Sequence, residues 1–310
     1  MKLFDLSSIY TLFIEERRDS MIVNNFLNVF SVLIIVCVYA NSALAQHTEG
    51  HDHNHDETQH ADFHHEEIHY EDVYNLDWKK RELILIGSGV ASSVIGHIVL
   101  GRSEAPTLDE INSLNGDGIN FLDRGTTGNF SESARNASDI ILYSSVTLPL
   151  MSYFSSKCRA NAAPIGVMIA ETFLITNGLT NVTKGLASRL RPYNYNSDAP
   201  LDLKLGEESN RSFVSGHTSN ATAFSFLAAR ILTDVHTDFD KKVIIWSVAA
   251  TIPAVVAYLR VEAGRHFPTD VIGGYVLGAT IGYLIPEMHL NKNLDLYVNP
   301  AGGVGMNLQF

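Results

Sequence analysis

The residues best suited to chemistry stand between 260 and 270. There Arg260, His266 and Asp270 recur at offsets of six and four. If a helix opens near Pro268, Asp270 falls in its first turn, beside the imidazole of His266, where a carboxylate orients and charge-stabilises the ring. Alone, such a trio is also what a solvated ion pair at a helix end looks like. Two further blocks change that. Lys184 and Arg191 lie seven apart, about two helical turns, and so share one helix face before Pro192 stops or redirects the chain. Ser215, Gly216 and His217 open another segment, and a helix start with a glycine offers unpaired N–H groups that an oxyanion can approach closely. Together the blocks supply three cations, a hydroxyl, amide donors and two imidazoles. That set suits displacement at phosphorus, which demands charge stabilisation above all, with arginine shaped for bidentate contact with phosphate oxygens.

Lys-x6-Arg-Pro at 184–192, Ser-Gly-His at 215–217 and Arg-x5-His-x3-Asp at 260–270 stand in that order, each at the edge of an apolar segment. The pattern resembles the three-part signature of the type 2 phosphatidic acid phosphatase and vanadium haloperoxidase superfamily, over roughly residues 160–286. Two positions depart from it: Val214 replaces the usual proline, and Leu259 replaces a serine that would add one hydrogen bond to phosphate. The resemblance implies that His266 attacks phosphorus and becomes a phosphohistidine, that Asp270 holds its ring, and that His217 protonates the leaving oxygen and then activates water. It also implies phosphate binding by Lys184, Arg191, Ser215, Gly216 and Arg260, with no metal or cofactor in the active site and vanadate as inhibitor. The implied function is hydrolysis of a lipid phosphate or a polyprenyl or lipid diphosphate in the bacterial cell envelope. A soluble periplasmic nonspecific acid phosphatase is the alternative, and a vanadium-dependent haloperoxidase a more distant one.

The elements that must carry these residues are legible as charge-poor segments at 83–100, 140–156, 160–183, 212–229, 243–259 and 271–286. Their length and lack of strict alternation predict helices. The expected fold is all-α, a bundle of about six helices with the active site at the helix ends, over a domain spanning 78–290. Apolar residues make up 45% and charged residues 18%, so the chain buries much of itself or meets lipid. The net charge of −12 is uneven: nine acidic residues and no Lys or Arg lie in 46–72. The rest carries no basic patch for nucleic acid, and the two cysteines form no disulfide framework.

Residues 1–45 place Arg17 and Arg18 before an apolar run and small residues ending at Ala45, the order of a signal peptide or an uncleaved anchor. The following stretch, 46–77, is rich in His, Asp and Glu and is expected to be disordered. His51, His53, His55, His64, His65 and His69 within it are weak candidates for loose binding of a transition metal. Residues 291–310 alternate about a Gly- and Pro-containing turn and predict a hairpin or tail. If the membrane form holds, an active site facing the periplasm requires residue 82 to enter from the cytoplasm. Lys79, Lys80, Arg81, Lys157, Arg159, Arg230, Lys241 and Lys242 are not expected to share one side.

Overall fold

The structure, a computed structural model, describes residues 73–235, 239–291, 294–298 and 304–308, all within one compact unit spanning 69–310. The N-terminal segment 1–45 and the six candidate metal-binding histidines lie outside the described residues. Residues 73–77, expected to be disordered, are instead ordered. Tyr74 is buried, its N–H donates to Asn161 Oδ1 at 2.9 Å, and its hydroxyl donates to Asp234 Oδ2 at 2.8 Å. An aromatic ring with partners for both polar ends buries apolar area that the acidic and His residues before it lack.

Among the described residues there are ten α-helices rather than six: α1 (Arg81–Leu100), α2 (Leu108–Ser113), α3 (Phe121–Arg124), α4 (Glu132–Val146), α5 (Ser156–Ala160), α6 (Ala162–Ala187), α7 (Leu201–Lys204), α8 (Gly216–Val235), α9 (Phe239–Glu262) and α10 (Pro268–His289). Each of the six long ones carries all or part of an apolar segment. The other four, of four to six residues, sit in connections too polar to show a helical period. The segment 140–156 does not hold one helix: α4 ends at Val146 and a 3-10 stretch, Leu148–Phe154, follows. Pro149 lacks an N–H and crowds the preceding turn, which ends the α ladder. At the C-terminus β1 (Leu294–Val298) and β2 (Val304–Leu308) pair antiparallel, with Leu294 opposite Leu308.

The long helices alternate so that the reactive residues collect at one end. The C-terminus of α1 lies beside that of α6, where a Cβ on Gly185 would stand 2.8 Å from Leu100 N. At the opposite end Arg81 Nη1 donates to Met288 O at 2.8 Å, and Arg230 Nη2 pairs with Glu287 at 2.6 Å. The central element is α8, which buries Ala221, Phe224, Leu227 and Ile231. On α10, Gly274, Gly278 and Gly282 fall one turn apart against it; a Cβ on Gly274 would stand 2.6 Å from Ser215 O, and one on Gly278 2.8 Å from Thr222 Cβ. Bare glycines let the two backbones meet, as small residues do between membrane helices.

Among the described residues four helices are long and apolar enough to cross a membrane: α1, α6 with its continuation to Tyr195, α9 from Lys241, and α10. Their outward faces expose Leu83, Ile84, Val94 and Ile95 on α1, Val243, Ile244 and Val248 on α9, and Ile272 and Val276 on α10. Apolar stripes of that length face lipid, so the chain is a membrane protein, against the soluble alternative. Neither α4, at 15 residues, nor the hydroxyl-rich α8 meets the same criterion. The eight lysines and arginines expected to scatter instead lie together at the end away from the reactive residues. There α1 starts, α5 precedes α6, α8 finishes and α9 begins.

Candidate active site

The last turn of α6 holds Lys184. Ser188 then ends the helix in the left-handed region at φ 39°, and the chain turns through Arg191 and Pro192. Arg191 is buried and anchored on a neighbouring turn: Nε donates to Glu208 O at 2.6 Å, Nη2 pairs with Glu208 Oε2 at 2.9 Å, and Nη1 donates to Arg265 O at 3.3 Å. Lys184 makes no hydrogen bond or ion pair among the described residues. A Cβ on Gly216 would lie 3.7 Å from its Nζ, so the ammonium stands over the opening of α8.

At that opening Ser215 acts as a cap. Its Oγ accepts from Thr218 N at 3.3 Å and from Thr218 Oγ1 at 3.0 Å, as an N-cap hydroxyl does. Gly216 and His217 form the first turn of α8, where backbone N–H groups have no partner within the helix. His217 Nε2 lies 2.7 Å from Asp139 Oδ1, and Arg260 Nη1 reaches the same oxygen at 3.4 Å and Ser138 Oγ at 3.3 Å. Burial first, then the charge of Arg260, push the His217 imidazole down to about 3, against the pull of Asp139. Burial raises Asp139, but its bond to His217 and the charge of Arg260 outweigh it and hold the carboxyl below its usual range. A carboxylate only accepts. The neutral ring therefore gives Nε2–H to Asp139 and keeps its lone pair on Nδ1.

His266 is fixed by the turn that leaves α9. Gly264 has φ 65°, and a Cβ there would collide with Asn129 O, so only glycine fits. The turn is closed by Arg265 N and His266 N, which donate to Arg260 O at 3.1 and 3.3 Å. The ring is 1% exposed. Its Nδ1 lies 2.7 Å from Ser212 O but 3.9 Å from Asp270 Oδ2. Asp270 thus does not hold the ring by a direct hydrogen bond, as the spacing had suggested; a backbone carbonyl stands between. Because a carbonyl cannot donate, Nδ1 carries the proton and the lone pair lies on Nε2. Burial, then the charges of Arg191, Arg260 and Lys184, hold His266 well below the usual histidine range. Asp270 accepts from Ser212 Oγ at 2.5 Å, Phe267 N at 2.8 Å and Arg189 Nη1 at 2.5 Å.

The structure thus gathers the eight residues singled out for the active site: Lys184, Arg191, Ser215, Gly216, His217, Arg260, His266 and Asp270 meet at the ends of α6, α8, α9 and α10. It adds Ser138, Asp139, Asp123, Arg189 and Ser212, which the sequence did not single out. Asp139 carried the same signal as the others, a charged residue at the edge of an apolar segment. Asp123 reads as a loop ion pair with Arg124, yet is buried and pairs with Arg189 at 2.6 Å instead. Among the described residues no group of three or more His, Cys, Asp or Glu is arranged to hold a metal ion.

Residues 165–294 match the model of the PAP2 superfamily. It is 34% identical over 122 residues to phosphatidylglycerophosphatase B of Bacillus subtilis, covering 39% of this chain and 56% of that one. It is 31% identical over 120 residues to undecaprenyl-diphosphatase of Sulfolobus acidocaldarius, covering 39% and 53%. The chain spans about half the length of these curated relatives. A crystal structure of a transmembrane PAP2-type phosphatidylglycerolphosphate phosphatase from Bacillus subtilis is 26% identical, covering 67% of this chain and 91% of that one, with a TM-score of 0.38.

Proposed function

We propose that this protein is a metal-independent phosphatase that hydrolyses a lipid phosphate or lipid diphosphate through a phosphohistidine. The observation that carries the reading is the convergence of Lys184, Arg191 and Arg260 on two neutral imidazoles with opposite free nitrogens. A phosphate bound among those cations meets the lone pair of His266 Nε2. Binding of the anion offsets the surrounding cations, so His217 takes a proton from solution on Nδ1; the N–P bond then forms as the P–O bond to the leaving group breaks, and the leaving oxygen takes that Nδ1 proton. Water then attacks the phosphohistidine, giving its proton to His217; the N–P bond breaks, phosphate departs, and both rings return to their starting state. Lys184, Arg191 and Arg260, with the amides that open α8, stabilise the charge a metal ion would otherwise meet.

A lipid substrate is supported by position. Three of the four apolar helices, α6, α9 and α10, end at the site, so a phosphate held there lies at the membrane surface with its hydrocarbon in the bilayer. Phosphatidylglycerophosphate and a polyprenyl diphosphate, the substrates for which the relatives are named, both have that form. We place the site on the side away from the cytoplasm, with the end that carries Arg81, Lys157, Arg230 and Lys241 inside. The test is phosphate release by the detergent-purified protein from these two lipids in chelator. Release that vanadate inhibits and His266→Ala abolishes is expected. No release from either lipid, or release restored only by a divalent metal, overturns the reading.

A further inference from the structure

Behind the His266 ring lies a chain of contacts that neither the signature nor the chemistry above requires. Arg189 Nη1 donates to Asp270 Oδ1 at 2.5 Å and to Thr269 Oγ1 at 2.8 Å, while Nη2 pairs with Asp123 Oδ2 at 2.6 Å. Its guanidinium lies over the Phe267 ring, 4.3 Å from the centroid. Both carboxylates it bridges are 0% exposed. Asp123 is held in turn by Thr269 N at 3.0 Å, Thr269 Oγ1 at 2.6 Å and Asn120 Nδ2 at 2.6 Å. Ser212, whose carbonyl takes the Nδ1 proton of His266, is pinned twice more. Its N–H donates to Arg189 O at 2.9 Å and its hydroxyl to Asp270 Oδ2 at 2.5 Å.

We propose that Asp123 and Arg189 are positioning residues for the nucleophile, and that Asp123, on α3 outside the matched segment, fixes the orientation of the His266 ring through Arg189, Asp270 and Ser212. The physical reason lies in competition for one proton. A buried carboxylate 3.9 Å from Nδ1 would draw that proton towards itself and shift the ring out of line. Arg189 engages Asp270 from the far side, and its backbone carbonyl holds Ser212 so that Ser212 O stands on Nδ1. The guanidinium is planar and its fork is rigid, so its aim at Asp270 depends on what holds its other arm. That arm is held by Asp123. Burial raises the Asp123 carboxyl, but its hydrogen bonds from Arg189 and Thr269 outweigh this and hold it below the usual range, so it stays ionised at neutral pH. Removing an outer partner of a metal-bound histidine costs about 10- to 100-fold in affinity or activity, and a loss on that scale is expected for this metal-free ring.

This inference rests on His266 being the nucleophile, and the experiment separates the two. Asp123→Asn, Arg189→Lys and His266→Ala are compared with the wild-type protein in detergent. Activity on lipid phosphate is measured, and the ring nitrogens of His266 are read by 15N NMR. In Asp123→Asn and Arg189→Lys, kcat is expected to fall about 10- to 100-fold while KM and vanadate affinity stay within about twofold, because the anion-binding cations are untouched. The Nδ1–H signal expected in the wild type should shift as the proton's acceptor changes from Ser212 O to Asp270 Oδ2. Asp123→Ala combined with Arg189→Lys should lose little more than Arg189→Lys alone, since both act through one guanidinium. Wild-type kcat and an unchanged Nδ1–H signal in Asp123→Asn overturn the proposal, as does an equal loss through KM. Full activity in His266→Ala overturns the nucleophile assignment instead. If no lipid is turned over, the NMR comparison still decides the role of Asp123.

Discussion

At the scale of the residue, the site is a set of proton assignments forced by what each partner is able to accept. Ser212 O fixes the proton on Nδ1 of His266, and Asp139 fixes it on Nε2 of His217, so the two rings present different nitrogens to a ligand between them. The depressed His217 has a consequence. In the free site it is neutral at pH 7, because burial and the charges of Arg260 and Lys184 oppose its protonation. An anion bound among those cations offsets them, so its arrival raises the His217 pKa from about 3 towards the operating range. Binding of phosphate at pH 7 should therefore draw up to about one proton per anion from solution. Calorimetry in buffers of different ionisation enthalpy measures that uptake, and His217→Gln should remove it. An enthalpy independent of buffer in the wild type would show that His217 is not the group charged on binding.

At the scale of the element, the site depends on how closely α10 meets α8, because Asp270 rides on one, in the turn after His266, and His217 on the other. The three glycines of α10 set that distance. Gly278→Ala places a methyl against Ser219 O and Thr222 Cβ and should cost about 1–3 kcal/mol, the range for overpacking. Gly87→Ala on α1 is the matched control. Its Cβ meets nothing within 4 Å, so it should hold or raise the thermal midpoint. Equal midpoints for the two variants would mean that α10 is free to shift away from α8. The six long helices were visible from their apolar content. The short ones were not, since α2, α3, α5 and α7 have too few residues to show a period and depend on caps such as Thr107 with Glu110.

At the scale of the molecule, the alternating helices separate two ends of different character. One carries Lys184, Arg191 and Arg260, the cations proposed to bind phosphate. The other carries lysines and arginines at the helix starts. With that second end in the cytoplasm, Ser197→Cys near the site should react with an impermeant maleimide on intact cells, and Lys157→Cys only after permeabilisation. Both positions are exposed, whereas the native Cys158 beside Lys157 is buried. The reverse pattern would turn the site towards the cytoplasm, and labelling of both on intact cells would remove the membrane-spanning arrangement.

By itself the sequence determined the candidate site residues and their order, because the offsets among Lys184 and Arg191, among Ser215, Gly216 and His217, and among Arg260, His266 and Asp270 are local and helical geometry acts over such distances. It determined the six apolar segments for the same reason. What only the tertiary structure decided is which atom answers which. Asp139 reaches His217 across 78 residues and Asp123 reaches Thr269 across 146, separations at which spacing carries no information and packing alone sets the contact. The four-residue offset placed Asp270 near the His266 ring, yet the folding of 212 between them gave the proton to a carbonyl. Burial completed the chemistry, since the depressed pKa values of both imidazoles arise from desolvation and from cations that meet only in the assembled bundle.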